Sequence, residues 1–373
     1  MKSLQNFILL FFCFVYASIR GSARRAIDKP RRICVIQMAQ FGDMICTTPV
    51  FRAIKRTYPQ AQLLVVGNEL NREVVQGNPD IDEYLIWNHK PLSLACTLRA
   101  LRCDFAVTTS PNFIGLAILF LAGVPLIAVP RLVGNKTPLE TRPYRILRVF
   151  AHIVPHIFDA YAPKQYLRLL EPIGIYSDDT RKHVYYLPGA LSSIRQKLID
   201  VGLGAPMFAV VMPGTGHPAK RWPPERFAAV AEHIARRHMP VVVTGGISDR
   251  VEVNTMMSHV TNSTVLDLSG QFSIEELKAL IGQASLFVSG DTGPLYIAEA
   301  LNVPTVDIVG PASDTAQPPK GPRHVVIAPP RTTPAMTVFD TRVIDPQETK
   351  RQAEATQVSE VTKAIDELIV KVS

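Results

Sequence analysis

Residues 286–301 read LFVSGDTGPLYIAEAL and contain the clearest strand–turn–helix pattern in the chain. The apolar run that ends at Ser289 predicts a buried strand, and Pro294 suits the first turn of a helix. Glycines on both sides of the turn let a ligand approach the backbone, and the N–H groups at a helix start attract phosphate. The stretch therefore predicts either a phosphate-binding turn or an ordinary corner at which Asp291 caps the helix.

Strands alternate with helical segments on both sides of this stretch, which is typical of an α/β fold. A proline-glycine pair between the two halves is expected to mark a domain boundary. We therefore predict two doubly wound, Rossmann-like domains that face a cleft, at residues 31–188 and 189–340. Residues 1–30 are expected to form a membrane-associating apolar and basic segment, and residues 341–373 a helix that packs back on the first domain.

The composition is that of a globular protein, since 47% of the 373 residues are hydrophobic and 19% are charged. The net charge of +8 is concentrated near the amino end, where seven basic residues and one acidic residue precede residue 33. Because the rest of the chain is nearly neutral, this charge does not indicate nucleic-acid binding. None of the five cysteines forms a CxxC pair, which argues against a zinc or redox site and favours reduced cysteines.

An uncharged apolar run, FILLFFCFVYASI, occupies residues 7–19 beside the basic cluster. It is shorter than the roughly 20 residues that a spanning helix needs, and most of the basic residues follow it. That order of charges keeps the downstream chain on the cytoplasmic side. We expect a membrane anchor or interfacial helix at the cytoplasmic face of the inner membrane; the alternatives are a cleaved secretory signal and a segment packed on the domain.

A second glycine turn follows a predicted strand at residues 212–227, which read MPGTGHPAKRWPPERF. The ammonium group of Lys220, close to this turn, suits a diphosphate leaving group. The alternative is that Lys220 is a surface lysine and Trp222 a packing residue. Both glycine turns lie at the carboxyl ends of predicted strands, where ligands bind in open α/β sheets.

Two further segments are candidates for the site of an acceptor, a second substrate with a reactive hydroxyl group. Residues 37–43 read QMAQFGD, in which Asp43 is either a base for an acceptor hydroxyl or a helix N-cap. This segment lacks the GxGxxG pattern of dinucleotide-binding proteins, which weakens a dehydrogenase interpretation. Residues 131–148 are expected to form a basic surface loop, which is either simply solvated or a seat for a phosphorylated or membrane-embedded acceptor.

Together these segments resemble glycosyltransferase family 9, the lipopolysaccharide heptosyltransferases, whose two-domain architecture is called GT-B. The resemblance rests on FGDMICTTPVFRAIKRTYPQAQL at residues 41–63, on PGTGHPAKRWPPERFAAVAEHI at 213–234 with VVTGGISDR at 242–250, and on SGDTGPLYIAEALNVPTVDIVGP at 289–311. Any one segment alone would be a weak signal, and their order makes the combination specific.

The resemblance implies inverting transfer of a heptose from ADP-heptose to a lipopolysaccharide-core or related lipid-linked acceptor, with no cofactor and no metal expected. It makes Asp43 the base, and Lys220 stabilises the departing diphosphate. The expected partners are the nucleotide-sugar donor, the lipid-linked saccharide and the inner face of the membrane, without nucleic acid. The residues expected to bind the acceptor are Gly42, Arg131, Arg142 and Arg145.

The resemblance also implies which residues bind the donor. Asp249 stands in for the family's carboxylate near the ribose, and Phe272 matches a position that lines the adenine pocket. The full set of expected donor-binding residues is Thr215, Gly216, Lys220, Asp249, Phe272, Asp291, Thr292 and Gly293. Two alternatives stay open: a nucleotide-sugar epimerase on the same fold, and a non-catalytic, membrane-tethered protein that binds nucleotide sugars.

Overall fold

The computed structural model describes residues 2–21, 23, 27–134, 137–204 and 207–372. The chain divides into two units, Met1–Arg181 and Lys182–Ser373. This division falls earlier than the proline-glycine pair at residues 188 and 189, where the sequence predicted it. Pro188 instead occupies the first turn of a helix, Pro188–Asp200, where its missing N–H costs no hydrogen bond.

The first unit is built on a six-stranded sheet in which all neighbouring strands are parallel. Its strands are β1 (Arg32–Ile36), β2 (Gln62–Gly67), β3 (Glu83–Ile86), β4 (Phe105–Thr108), β5 (Leu126–Val133) and β6 (His152–Ile157). Their order across the sheet is β3-β2-β1-β4-β5-β6. Its helices are α1 (Lys2–Arg20), α2 (Phe41–Thr57), α3 (Glu69–Val75), α4 (Pro91–Leu101), α5 (Phe113–Ala122), α6 (Arg142–Leu147) and α7 (Ala162–Arg168), with short 3₁₀ turns at Arg148–Phe150 and Glu171–Ile173.

The second unit repeats this design. Its strands are β7 (Ala209–Met212), β8 (Val241–Val243), β9 (Val265–Asp267), β10 (Leu286–Gly290), β11 (Thr305–Ile308) and β12 (His324–Ile327). Its helices are α8 (Pro188–Asp200), α9 (Pro224–Ala235), α10 (Arg250–Met257), α11 (Ile274–Gln283), α12 (Gly293–Ala300), α13 (Pro346–Ala355) and α14 (Val358–Val372), with 3₁₀ turns at Pro218–Lys220 and Ile247–Asp249. The strand order is β12-β11-β10-β7-β8-β9, all parallel.

Both sheets have the strand order of the doubly wound Rossmann fold, counted from the first strand of each unit. The predicted α/β fold with two Rossmann-like domains is therefore confirmed. Strands β7 and β8 are apolar throughout, as is typical of parallel strands that helices cover on both faces. All four residues of β7 and all three valines of β8 are buried. The strand order reverses between β7 and β10, so the turns that follow these two strands lie where doubly wound sheets bind ligands.

The carboxyl-terminal helix packs within the second unit, so the prediction that residues 341–373 pack back on the first domain is wrong. α14 lies against α9, β11 and β12, and buries Val361, Ile365 and Leu368. These three residues share one helical face. That face packs in the same apolar cluster as Val306 and Ile308 of β11.

The basic segment at residues 131–148 is largely ordered, and the prediction of a surface loop is wrong for most of it. β5 continues to Val133, and α6 begins after Thr141, whose side chain accepts a hydrogen bond from the N–H of Tyr144. Glu140 fixes the connection between β5 and α6. Its carboxylate accepts a hydrogen bond from the N–H of Leu132 at 2.9 Å and one from the Arg148 guanidinium at 2.6 Å. A capping threonine and a half-buried ion pair therefore give this segment its structure.

The amino-terminal helix α1 packs on the first unit through a narrow face. Cys13 and Ala17 are buried in the core of that unit, and the Cys13 thiol contacts the carbonyl of Ala117 in α5 at 3.8 Å. Among the described residues, no helix is long and apolar enough to cross a membrane. The basic residues Arg24 and Arg25 of the predicted membrane segment lie outside the described residues.

Candidate functional site

The turn between β10 and α12 has the strand–turn–helix geometry that the sequence predicts. Thr292 occupies the N-cap with an extended backbone (φ −148°, ψ 161°), its side chain makes no capping hydrogen bond, and Gly293 begins the helix. The alternative in which Asp291 caps α12 is therefore wrong. Without a side-chain cap, this helix start keeps the electrostatic character that attracts anions.

The Asp291 carboxylate instead joins two parts of the second unit. Its Oδ2 accepts a hydrogen bond from the Lys220 ammonium at 2.6 Å, and its Oδ1 accepts one from the Tyr296 hydroxyl at 2.5 Å. The Lys220 and Asp291 side chains are 19% and 14% exposed, so solvent and ligands can still reach the pair. Burial alone would raise the pKa of Asp291, but the Lys220 charge and the hydrogen bonds from Lys220 and Tyr296 outweigh it and hold that pKa below its usual range.

Lys220 is presented by a short, well-supported turn after β7. Thr215, which is buried, donates its hydroxyl hydrogen to the His217 carbonyl at 2.9 Å, and Gly216 is exposed beside it. The His217 ring nitrogen Nδ1 accepts from the N–H of Ala219 at 3.2 Å, which starts the 3₁₀ turn that ends at Lys220. Thr215, Gly216 and Lys220 therefore belong to one turn, as the sequence predicts.

Two glycines allow the neighbouring turns to pack closely. A Cβ at Gly214 would lie 2.2 Å from the Cγ of Asp249, and a Cβ at Gly290 would lie 3.0 Å from the Cγ2 of Thr215. Asp249 is buried, and its Oδ2 accepts a hydrogen bond from the Gly246 N–H at 2.8 Å. Asp249 thus orders the turn after β8, and its contact with a nucleotide ribose stays a prediction.

The carboxyl-terminal segment of the chain packs against the residues that surround Lys220. The indole N–H of Trp222 donates to the Thr356 carbonyl at 3.0 Å, and Trp222 is buried. Helix α13 lies against the 3₁₀ turn that carries Lys220. Trp222 is a packing residue, in line with one of the sequence interpretations, and it fixes the segment that follows Lys220.

A second layer of ionisable side chains lies beneath α12, and it was not predicted from the sequence. The fully buried Lys182 ammonium bonds to Glu299 and lies 5.1 Å from the centroid of the Tyr296 ring. Asp307 in β11 is 1% exposed; burial, and then the negative charge of Asp291, raise its pKa well above the usual value. The one signal of this layer in the sequence is the aspartate within the apolar strand TVDI.

Phe272 lies in the same unit, directly before the N-cap Ser273 of α11. It is half-buried, and the Lys197 ammonium lies 5.5 Å from the centroid of its ring. The ring is thus held by a charged side chain, and its contact with an adenine base stays a prediction.

Asp43 lies in the first unit, in the first turn of α2. Gln40 occupies the N-cap of that helix, so the interpretation of Asp43 as the N-cap is wrong. Asp43 is half-buried, Gly42 is buried, and the Asp43 carbonyl accepts from the Thr47 hydroxyl at 2.8 Å. This turn follows β1, which holds the same place in its sheet as β7 does in the second.

The arginines predicted to bind an acceptor also lie in the first unit. Arg131 is on β5, and Arg142 and Arg145 are on α6; all three are exposed. Their role toward an acceptor stays a prediction. Within the described ranges, no three His, Cys, Asp or Glu side chains are placed to hold a metal ion together.

The chain is similar to known heptosyltransferases along most of its length. Residues 134–341, more than half of the chain, match the family model for glycosyltransferase family 9 (heptosyltransferase). The chain is 28% identical over 281 residues to lipopolysaccharide heptosyltransferase 3 of Escherichia coli, a match that covers 72% of this chain and 80% of that protein.

Solved structures share the fold. The glycosyl transferase family 9 protein of Veillonella parvula superposes with a TM-score of 0.75 at 22% identity, over 93% of this chain and 99% of that one. The ADP-heptose LPS heptosyltransferase II of Escherichia coli gives a TM-score of 0.67 at 22% identity, over 90% and 99% of the two chains. The fold is that of GT-B heptosyltransferases, and the chain is a glycosyltransferase that belongs to family 9, the heptosyltransferase family.

Proposed function

We propose that this protein is an inverting glycosyltransferase that moves a heptose from ADP-heptose to a lipopolysaccharide-core or related lipid-linked acceptor. The observation that carries the proposal is the Lys220–Asp291 pair, which joins the turns after β7 and β10 at the ligand-binding edge of the second sheet. The similar proteins support the choice of sugar and acceptor, since they are lipopolysaccharide heptosyltransferases and one is described with ADP-heptose.

The pair suits a diphosphate because its lysine can exchange one anion for another. Lys220 is half-buried and already faces a carboxylate, so a diphosphate can replace Asp291 as its partner with little movement of the backbone. Asp291 keeps the hydrogen bond from Tyr296 after the exchange and becomes available to a sugar hydroxyl. The start of α12, at Thr292 and Gly293, adds backbone N–H groups to the phosphate site.

The reaction would be a single displacement at the anomeric carbon. Asp43 takes the proton from an acceptor hydroxyl, and the hydroxyl oxygen forms the new bond to the anomeric carbon. The bond between that carbon and the phosphate oxygen breaks, and ADP departs with the electron pair. Lys220 and the start of α12 stabilise the negative charge that develops on the leaving diphosphate.

A donor panel tests the proposal. The protein is incubated with ADP-heptose, a GDP-sugar or a UDP-sugar, each with and without a heptose-deficient lipopolysaccharide-core acceptor, and the products are identified by mass spectrometry. We expect the acceptor to gain one heptose when ADP-heptose is the donor, and no sugar from the GDP-sugar or the UDP-sugar. Conversion of a nucleotide sugar without acceptor would replace the proposal with an epimerase, and the absence of both reactions, with donor binding intact, would indicate a binding protein.

A further inference from the structure

Helix α1 is fixed on the first unit but leaves most of its surface uncovered. The Phe14 ring packs edge-on against Phe150 at 5.7 Å between centroids, and the guanidinium of Arg99 lies 5.6 Å from the Tyr16 ring. The chain that follows the helix is tied to the sheet, since Ala23 donates to the Phe150 carbonyl at 2.8 Å and accepts from Ile127 at 3.0 Å. The helix is therefore held along the surface of the domain.

The uncovered side of α1 is apolar almost without interruption. At about 100° per residue, the exposed side chains from residue 7 onward fall within an arc of about 160°, and Ser18 is the one polar residue in it. The Ser18 hydroxyl is bonded to the Phe14 carbonyl at 2.8 Å, which hides its polarity. The exposed apolar side chains on this arc are Phe7 (67%), Ile8 (47%), Phe11 (58%), Phe12 (60%), Phe14 (46%), Val15 (39%) and Ile19 (82%). A continuous apolar face of this kind marks a binding surface.

Helix α6 extends this surface and adds positive charge. It packs against α1, and Ile146 and the following Val149 are 36% and 52% exposed. Arg142 and Arg145 on the same helix are exposed, and the sequence places five further basic residues between the end of α1 and residue 32. Apolar side chains beside exposed arginines match the chemistry of an anionic lipid bilayer, whose headgroups are negative and whose interior is apolar.

We propose that α1 and α6 together form a surface that binds an anionic bilayer, with α1 lying along the membrane. The buried Cys13 and Ala17 hold one side of α1 on the domain, so the opposite, phenylalanine-rich side can enter the acyl boundary while the domain stays in water. A second copy of the chain fits this face less well, because it would bring two sets of the same basic residues together. The proposal does not depend on the proposed transfer reaction.

Vesicle flotation of the full chain, without nucleotide sugar, tests the apolar part of this surface. The probes are vesicles of phosphatidylcholine with and without phosphatidylglycerol. We expect binding to the anionic vesicles, and a loss of at least about tenfold in the partition coefficient for the Phe11→Ser/Phe12→Ser variant. The matched control is Ile344→Ser/Val370→Ser, since Ile344 and Val370 are 75% and 77% exposed in the second unit.

The arginines are tested in the same assay. Arg142→Gln/Arg145→Gln should weaken binding to anionic vesicles by about fivefold for each arginine and leave binding to neutral vesicles unchanged. High salt should reproduce that loss in the wild type. Thermal unfolding midpoints that match the wild type show that each variant is folded.

Three outcomes would overturn the proposal. Equal vesicle binding by the Phe11→Ser/Phe12→Ser variant and its control would mean that α1 does not contact lipid. Equal binding by the arginine variant would remove the role of charge. A wild-type dimer that fails to float and that the phenylalanine variant converts to a monomer would assign the face to a second copy. With a soluble, deacylated acceptor, unchanged turnover in the phenylalanine variant would separate this surface from the transferase site.

Discussion

The two units share one strand order, yet they hold their first turns by different chemistry. In the first unit, neutral amides fix the turn after β1: Gln37 accepts from the Ala39 N–H at 3.1 Å, and Asn71 donates to the Ala39 carbonyl at 3.1 Å. In the second unit, the turn after β7 is tied to the end of β10 by the charged pair of Lys220 and Asp291. Neutral groups therefore hold the first turn, and charged groups, which suit a diphosphate, hold the second.

The groups that hold the two turns also differ in how deeply they are buried. Gln37 and Asn71 are fully buried, so their hydrogen bonds belong to the framework of the first unit. Lys220 and Asp291 remain partly exposed, so their ion pair can open when an anion arrives. The first unit thus holds the turn before Asp43 with buried amides, whereas the second presents a partly exposed cation. We infer that the acceptor is activated in the first unit and the donor is held in the second.

The largest expected effect is the loss of the base in the first unit. Asp43→Asn keeps the shape of the side chain but cannot take a proton, so kcat should fall by about 10²- to 10⁴-fold. Steady-state assays with ADP-heptose and acceptor measure this, with Asp28→Asn, a change at an exposed residue of the same unit, as the control. Unchanged kcat in Asp43→Asn would remove the first unit from the chemistry.

The next effect is the loss of the exchangeable cation. Lys220→Gln should lower kcat/KM by about 10²- to 10³-fold, because the departing diphosphate loses a preorganised positive charge. Lys350→Gln is the matched control, since Lys350 is 75% exposed in the same unit. Equal losses in the two variants would indicate a general effect of charge on the second unit instead of a specific contact.

A smaller effect tests how tightly the turns of the second unit pack. Gly214→Ala would place a Cβ 2.2 Å from the Asp249 Cγ, whereas nothing lies within 4 Å of a Cβ at Gly216. Gly214→Ala should therefore lower the free energy of unfolding by about 1–3 kcal/mol, as overpacking does, and Gly216→Ala should change it little. Urea titrations that give the same value for both variants would contradict the close packing of these turns.

The smallest effect concerns the buried Asp307 carboxyl beneath α12, whose pKa is raised. The pKa of Asp307 is raised in the folded state, so the folded protein binds that proton more tightly than the unfolded chain does. Stability is then lost as the pH rises from the ordinary aspartate range, about pH 4, toward the folded pKa. Asp307→Asn cannot ionise, so its stability relative to the wild type should increase with pH in that window. A difference in unfolding free energy that is constant with pH, as expected for exposed Asp200→Asn, would mean that folding does not raise the pKa of Asp307.

The sequence predicted most strands and both glycine turns because apolar runs and glycine turns are local signals. β6 was missed because HIVPHI contains a proline and two histidines, and β9 and β12 because they are short edge strands. The prediction that α14 packs on the first domain was wrong, because a helical pattern defines an apolar face but not the surface that covers it.

The contacts at the centre of the site could not be read from the sequence. Lys220 and Asp291 are 71 residues apart, and only the strand order brings their turns together. The buried layer of Lys182, Glu299 and Asp307 is also assembled from distant segments, and its charges look like surface residues in a linear sequence. Pairing across a sheet depends on topology, which local patterns do not specify.

We infer that the second unit binds the donor diphosphate through Lys220 while the first unit supplies the base. Calorimetric titration of ADP-heptose into the wild type, Lys220→Gln and Asp43→Asn separates these two roles. We expect Lys220→Gln to weaken binding by about tenfold or more, as for the loss of a charged hydrogen bond, and Asp43→Asn to bind as the wild type does. Equal affinity in all three proteins, or a loss confined to Asp43→Asn, would contradict it.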